Sequence, residues 1–171
     1  VVNSLGGRLE IFNEDLRRVR EFLPAGEFDV VTMNPPYKAE GAGIVSADGA
    51  AAMARHGLCC SLDDMCAAAE RRLNFGGKFC VCLRPERLCE LMCKMSAAGI
   101  EPKRLRTVSK RDGFAPWLVL VEGRRGGKPG MTVEPQLNIY DGDGYSEYMK
   151  SLYSDYERER ENNDRERKKT D

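Results

Sequence analysis

Asn34-Pro35-Pro36-Tyr37 is the stretch of this chain whose residue types could do chemistry. It follows a short apolar run, Phe28-Asp29-Val30-Val31-Thr32-Met33. The chemistry it suits is methyl transfer to a planar nitrogen, such as the exocyclic amine of adenine. That amine is a poor nucleophile, because its lone pair is delocalised into the ring. Accepting hydrogen bonds from both of its hydrogens pulls the nitrogen toward tetrahedral geometry and localises the pair. The Asn34 side-chain oxygen is one suitable acceptor. The carbonyl of Pro35 is the other, kept out of helical geometry by the proline that follows it. Two successive prolines fix φ and remove two donors, so the loop is stiff and cannot join a ladder. Tyr37 offers a flat face for a base, a contact worth roughly 1–3 kcal/mol. With a sulfonium as methyl donor, catalysis would be positioning and dipoles, with no covalent enzyme intermediate. A rigid turn is the other reading of a Pro-Pro pair before an aromatic residue.

The elements that must position this tetrapeptide are legible as a pattern. Residues 28–33 read as a buried strand, and sites in open α/β sheets lie at the carboxyl ends of strands. Leu9-Glu10-Ile11-Phe12 reads as an earlier short strand. A helix over residues 14–22 follows it and stops at Pro24 and Gly26. Residues 38–53, rich in Gly and Ala, read as a loop over the site. Ser61-Leu62-Asp63-Asp64 resembles a capping box. It opens a helix with Leu62, Met65, Cys66, Ala69 and Leu73 on one face, which Gly76-Gly77 would end. Residues 78–83 read as a strand. Leu88, Leu91, Met92 and Met95 mark a helix ending near Gly99. Residues 104–109 and 117–122 read as two strands paired around Asp112-Gly113, and residues 131–140 as a sheet-edge extension. The alternation predicts an α/β fold, with a mainly parallel sheet covered on both faces. From about Tyr145 onward, a charged tail is expected to be a frayed helix or disordered.

Composition bounds the possibilities. The length of 171 residues predicts one domain with a real core, and 42% hydrophobic with 32% charged residues fits a soluble protein. No apolar run is long enough for a membrane span, and the first residues lack the pattern of a signal peptide. The seven cysteines show no paired CxxC spacing. Reduced, mostly buried thiols in a cytoplasmic protein are therefore expected, without a metal site. Net charge is zero, yet residues 84–128 hold 11 basic against 5 acidic residues. Lys103, Arg104, Arg106, Lys110 and Arg111 form much of that block. It reads either as a surface for RNA phosphates or as a solvated face.

Longer stretches carry a family resemblance. Residues 28–37, Ala54-Arg55-His56, residues 73–79, Arg84-Pro85-Glu86-Arg87-Leu88, residues 99–106 and Pro135-Gln136-Leu137-Asn138-Ile139-Tyr140 resemble the bacterial tRNA1(Val) adenine-N6-methyltransferase family. The resemblance implies a Rossmann-like class I methyltransferase fold, S-adenosyl-L-methionine as cofactor and tRNA as partner. It implies that Asn34 binds the target amine and touches the cofactor side, with Pro35, Pro36 and Tyr37 completing the catalytic loop. It also implies that Asp15 lies near the cofactor adenine; a helix N-cap is its other reading. His56 would be structural or peripheral. The tetrapeptide alone is shared with protein glutamine and DNA adenine methyltransferases, and a catalytically dead RNA-binding remnant is a further alternative. The family's first strand, glycine-rich turn and second strand have no counterpart in this sequence. Residues 1–144 thus resemble the carboxyl-terminal portion of the catalytic domain, followed by a tail over 145–171. The missing strands would lie between Leu9–Phe12 and Phe28–Met33. If nothing precedes Val1, weak or no cofactor binding and no turnover are expected.

Overall fold

The computed structural model describes residues 9–23, 25–35 and 60–154. After a 3-10 turn over Leu16–Arg18, the elements in chain order are α1 (Val19–Phe22), β1 (Phe28–Met33), α2 (Leu62–Arg72), β2 (Leu73–Leu83), a second 3-10 turn (Pro85–Arg87), α3 (Leu88–Ala97), β3 (Ile100–Ser109) and β4 (Leu118–Arg125). The short strands β5 (Thr132–Val133), β6 (Leu137–Asn138), β7 (Tyr140–Asp141) and β8 (Gly144–Tyr145) follow. A helix, α4, occupies residues 147–154.

The main sheet runs β1-β2-β4-β3-β5, with β6 also on β3; β7 and β8 form a separate hairpin. β1 and β2 are parallel, while β4 is antiparallel to both β2 and β3. Among the described residues β1, β2, β3, β5 and β6 run one way and β4 alone is reversed, so the sheet is mainly parallel with one antiparallel strand. The turn from Ser109 to Leu118 is too short for the crossover that a parallel pair needs, and Gly113 takes φ +75° within it. β2 alternates along its length. Phe79, Val81 and Leu83 are buried on one face. There they meet Leu62, Met65, Cys66 and Ala69 of α2, Leu91 and Met95 of α3, Ile100 of β3, and Val119 and Val121 of β4. Among the described residues α4 reaches the other face, where the Tyr148 ring lies over Arg106.

Local chemistry explains the element ends. Ser61 and Asp64 form a reciprocal capping box, with Asp64 N–H donating to Ser61 Oγ at 3.1 Å and Ser61 N–H to Asp64 Oδ2 at 3.1 Å. Lys94 Nζ reaches Asp63 Oδ2 at 2.7 Å and ties α3 to α2. Gly99, φ +74°, follows α3 as expected.

Several expectations need correction. Leu9–Phe12 is not a strand. Among the described residues no neighbour lies on the free edge of β1 to complete a ladder, so these residues stay exposed, Ile11 at 83%. Phe12 packs instead on Phe22, with ring centroids 5.4 Å apart. Gly76-Gly77 does not end α2, which stops at Arg72 where Leu73 turns extended. Gly76, φ +80°, instead makes a bulge inside β2, between the pairs Phe28–Leu73 and Val30–Lys78. The thiols are less buried than expected. Cys66 is buried, Cys60, Cys80 and Cys82 are half-buried, and Cys89 and Cys93 sit on the exposed face of α3. The proposed loop over 38–53, His56, Pro36, Tyr37 and the tail beyond residue 154 lie outside the described residues.

Candidate active site at the carboxyl edge of the sheet

Asn34 and Pro35 are delivered by β1. Val30, Val31 and Thr32 are β-branched and suit a pleated strand. Register with β2 is fixed through Val31–Phe79 and Met33–Val81. Because β4 opposes both β2 and β3, the strands β1, β2 and β3 all point the same way. Their carboxyl ends gather Asn34, Arg84 and Lys110 along one edge. Asn34 is exposed there and Pro35 is buried.

Asn34 also stands at one end of a cavity of about 470 Å³ on the sheet face away from α2 and α3. Thr32, Cys82 and Leu120 lie along it, and Arg106 and Tyr148 stand at the far end. From β1 to β3 this trough spans three strand spacings, roughly 14 Å. Its size falls within the range of small-molecule sites. Burial pushes the Cys80 thiol up from its ordinary value, so it stays protonated at neutral pH and is a poor nucleophile. The trough thus offers shape, dipoles and ion pairs, consistent with chemistry by positioning.

Asp15 caps the turn that precedes α1. Its carboxylate accepts from Arg17 N–H at 2.9 Å and from Arg17 Nε at 3.0 Å. These bonds hold the carboxyl down to about 2. The N-cap role is therefore present. The N-termini of α1 and α2 lie toward the carboxyl edge of the sheet, because both helices run back to the amino edge, where Arg72 donates to Leu23 O. Asp15 lies close to Cys60, just before α2, whose thiol is raised by burial and then by the Asp15 charge.

The five expected RNA-contact residues divide into three groups. Lys110 and Arg111 lie in the turn after β3, at the Asn34 edge, with Lys110 O accepting from Tyr140 N–H at 3.0 Å. Lys103 is seven positions earlier on an extended strand, roughly 23 Å away, and its Nζ donates to Lys128 O at 3.0 Å. Arg104 and Arg106 face the trough and are engaged with carboxylates. Arg104 Nη1 lies 3.2 Å from Glu122 Oε2, and Arg104 also bonds Glu134. Arg106 Nε is 3.1 Å from Glu134 Oε2, near enough for an ion pair although the N–H is not aimed along it. The basic block is therefore not one patch.

Tyr148, Glu134, Leu120 and Cys82 were not singled out by sequence reading. Alternation along β4 and β2 carried a signal for Leu120 and Cys82, which share a face through their register. Nothing local pointed to Tyr148 or Glu134.

Among solved structures, a predicted O-methyltransferase, protein Atu636 from Agrobacterium tumefaciens, superposes with TM-score 0.67 at 20% identity. The match covers 85% of this chain and 62% of that one. The fold is that of a Rossmann-like α/β methyltransferase. More distant similarity extends to TTHA0409 from Thermus thermophilus, a proposed DNA modification methylase complexed with S-adenosyl-L-methionine, at TM-score 0.45 and 17% identity over 68% of this chain and 55% of that one. It extends also to the M1.HpyAVI–SAM complex, at TM-score 0.44 and 11% identity over 70% and 55%. The chain spans about 62% of the length of the Atu636 protein. No protein-family model and no curated protein matches it. Within this methyltransferase fold Asn34 occupies the edge where open α/β sheets bind their ligands. Among the described residues no group of three or more His, Cys, Asp or Glu side chains could hold a metal ion. No helix among them is long and apolar enough to cross a membrane.

Proposed function

We propose that these residues belong to an S-adenosyl-L-methionine-dependent methyltransferase that acts on the N6 amine of an adenine in the anticodon region of a tRNA. The observation that carries this reading is the exposed Asn34, ahead of a buried Pro35, at the carboxyl end of β1 and at the mouth of the trough. The Rossmann-like methyltransferase fold supports the reaction class, and the sequence resemblance supports tRNA. A flipped or loop adenine is the substrate form, since a stacked base could not enter.

The residues present fit the cofactor on its accessible side. Asp15 stays ionised at any physiological pH, and its oxygens keep lone pairs beyond those given to Arg17. It can therefore accept from an adenine amine. S-adenosyl-L-methionine supplies, when bound, an electrophilic methyl on a sulfonium. The chain's own part is to orient the acceptor. Asn34 Oδ1 and the Pro35 carbonyl each accept one hydrogen of the target amine and so localise its lone pair. Tyr37 stacks on the base, with Pro36 stiffening the approach. Lys110 and Arg111, at the same edge, meet flanking phosphates.

The test is transfer of labelled methyl by the whole protein to unmodified tRNA, to a glutamine-containing peptide and to duplex DNA. Label should appear as N6-methyladenosine in tRNA. Asn34→Ala should lower the rate by about 100-fold or more, the scale for losing one preorganised dipole. Label on peptide glutamine or on DNA instead would assign the protein to a sister class. Tight, salt-sensitive tRNA binding that ignores both cofactor and Asn34→Ala would identify an RNA-binding remnant.

A further inference from the structure

A second cavity, of about 450 Å³, lies at the opposite, amino edge of the sheet. Four arginines line it: Arg20 of α1, Arg71 and Arg72 from the last turn of α2, and Arg125 at the end of β4. They come from distant parts of the chain, three of them outside the basic block. Glu70 is the one carboxylate in the lining, and Arg125 already holds it. Arg125 donates Nε and Nη2 to Glu70 Oε1 at 2.9 and 2.6 Å, and Nη1 to Leu73 O at 2.8 Å.

The remaining three cations lack a counter-charge in the cavity. Arg72 is only 6% exposed. One of its nitrogens donates to Leu23 O, while its Nε is buried with no partner among the described residues. A buried guanidinium with an unmet donor is costly unless an anion joins it. The Arg20 and Arg71 side chains have no hydrogen-bond or ion-pair partner among the described residues. Arg71 is anchored through its backbone, whose carbonyl accepts from Gly26 N–H at 2.9 Å. Arg72 and Arg125 thus build the wall, and Arg20 and Arg71 supply free forks.

We infer that this cavity binds phosphate groups, as a diphosphate-type anion or as successive phosphodiesters of a nucleic acid strand. Planar guanidinium forks match phosphate oxygens two at a time. The volume leaves room for more than one phosphate. The site is roughly 20 Å from Asn34, the length of β1, and does not depend on the reaction assigned to that edge.

The experiment titrates the whole protein, at low salt, with inorganic diphosphate and with a labelled single-stranded RNA. The variant is Arg20→Gln with Arg71→Gln. Neither side chain has a structural partner, so the melting curve should be unchanged. A second variant, Arg20→Lys with Arg71→Lys, keeps charge and removes the forks. Diphosphate should bind, and the Gln variant should weaken it at least about tenfold, as expected for loss of charged hydrogen bonds. The Lys variant should fall between. If RNA alone binds and loses at least about tenfold in the Gln variant, the site is a phosphodiester contact. RNA affinity lost only with Lys110→Gln and Arg111→Gln would overturn the inference, as would failure of both ligands to bind or equal binding by wild type and both variants.

Discussion

The guanidinium carbon of Arg106 lies 5.1 Å from the ring centroid of Tyr148. Those residues are far apart in sequence, and their contact brings α4 onto the trough face of the sheet. Glu134 stands behind Arg106, its Oε2 3.1 Å from Arg106 Nε. It is itself fixed by its backbone N–H, which donates to Leu105 O at 2.8 Å. The residue that follows the short strand β5 is thus an acid that orients Arg106, which in turn holds an aromatic ring. A separate tyrosine series also reaches α4: Tyr145 stacks on Tyr140 at 5.3 Å and meets the tilted ring of Tyr153 at 5.5 Å.

Removing Tyr148 should release α4 without unfolding the sheet. An exposed cation–π contact is worth about 0.5–1 kcal/mol. Tyr148→Ala should therefore lower global stability by no more than about 1 kcal/mol while hydrogen exchange speeds up across residues 147–154. Tyr148→Phe, which keeps the π face, should exchange like wild type. Unchanged protection in Tyr148→Ala would mean that the tyrosine series alone holds the helix.

Asp15 gives a pH dependence with a defined sign. Hydrogen bonds from the Arg17 side chain, then from its backbone N–H, hold the carboxyl down to about 2 from an ordinary 3.8. A depressed carboxyl stabilises the folded state fully above its unfolded value, and that contribution disappears as pH falls through the folded one. The turn and α1 should therefore keep their structure through pH 4 and lose it only as pH nears 2. Carbon-detected titration of the carboxyl reads this directly. Arg17→Gln should move the midpoint up toward 3.8. A wild-type midpoint already near that value would remove the pair as the cause.

Features that depend on neighbours in the chain were the legible ones. Ser61 and Asp64 are three residues apart, so their capping box could be read from type and spacing. The run from Phe28 to Met33 named its own strand, and that placed Asn34. Leu9–Phe12 misled because a strand-like pattern needs a partner, and none lies beside β1 among the described residues. Gly76-Gly77 misled because a glycine with positive φ serves a bulge as well as a helix end. The trough and the arginine cavity were hidden for one reason. Arg20, Arg72 and Arg125, like Asn34 and Tyr148, meet only through sheet order and helix packing. Composition counted the charges but could not show that Arg104 and Arg106 face Glu122 and Glu134.

Gly123 tests how tightly α3 is seated. It lies in β4 opposite Phe79 and Pro102. A Cβ there would collide with Met95 Cε and Ile100 Cγ2 and stand 3.2 Å from Glu101 O. Met95 and Ile100 are fully buried, so neither can swing away into solvent. Gly123→Ala should overpack the core and destabilise by roughly 1–3 kcal/mol, read as a lower urea midpoint at unchanged slope. If the collision is the cause, Met95→Ala should cost less in the Gly123→Ala background than in wild type, because the new methyl fills part of the space that Met95 vacates. Strict additivity of the two substitutions would mean that the glycine is needed for its backbone and not for its missing side chain.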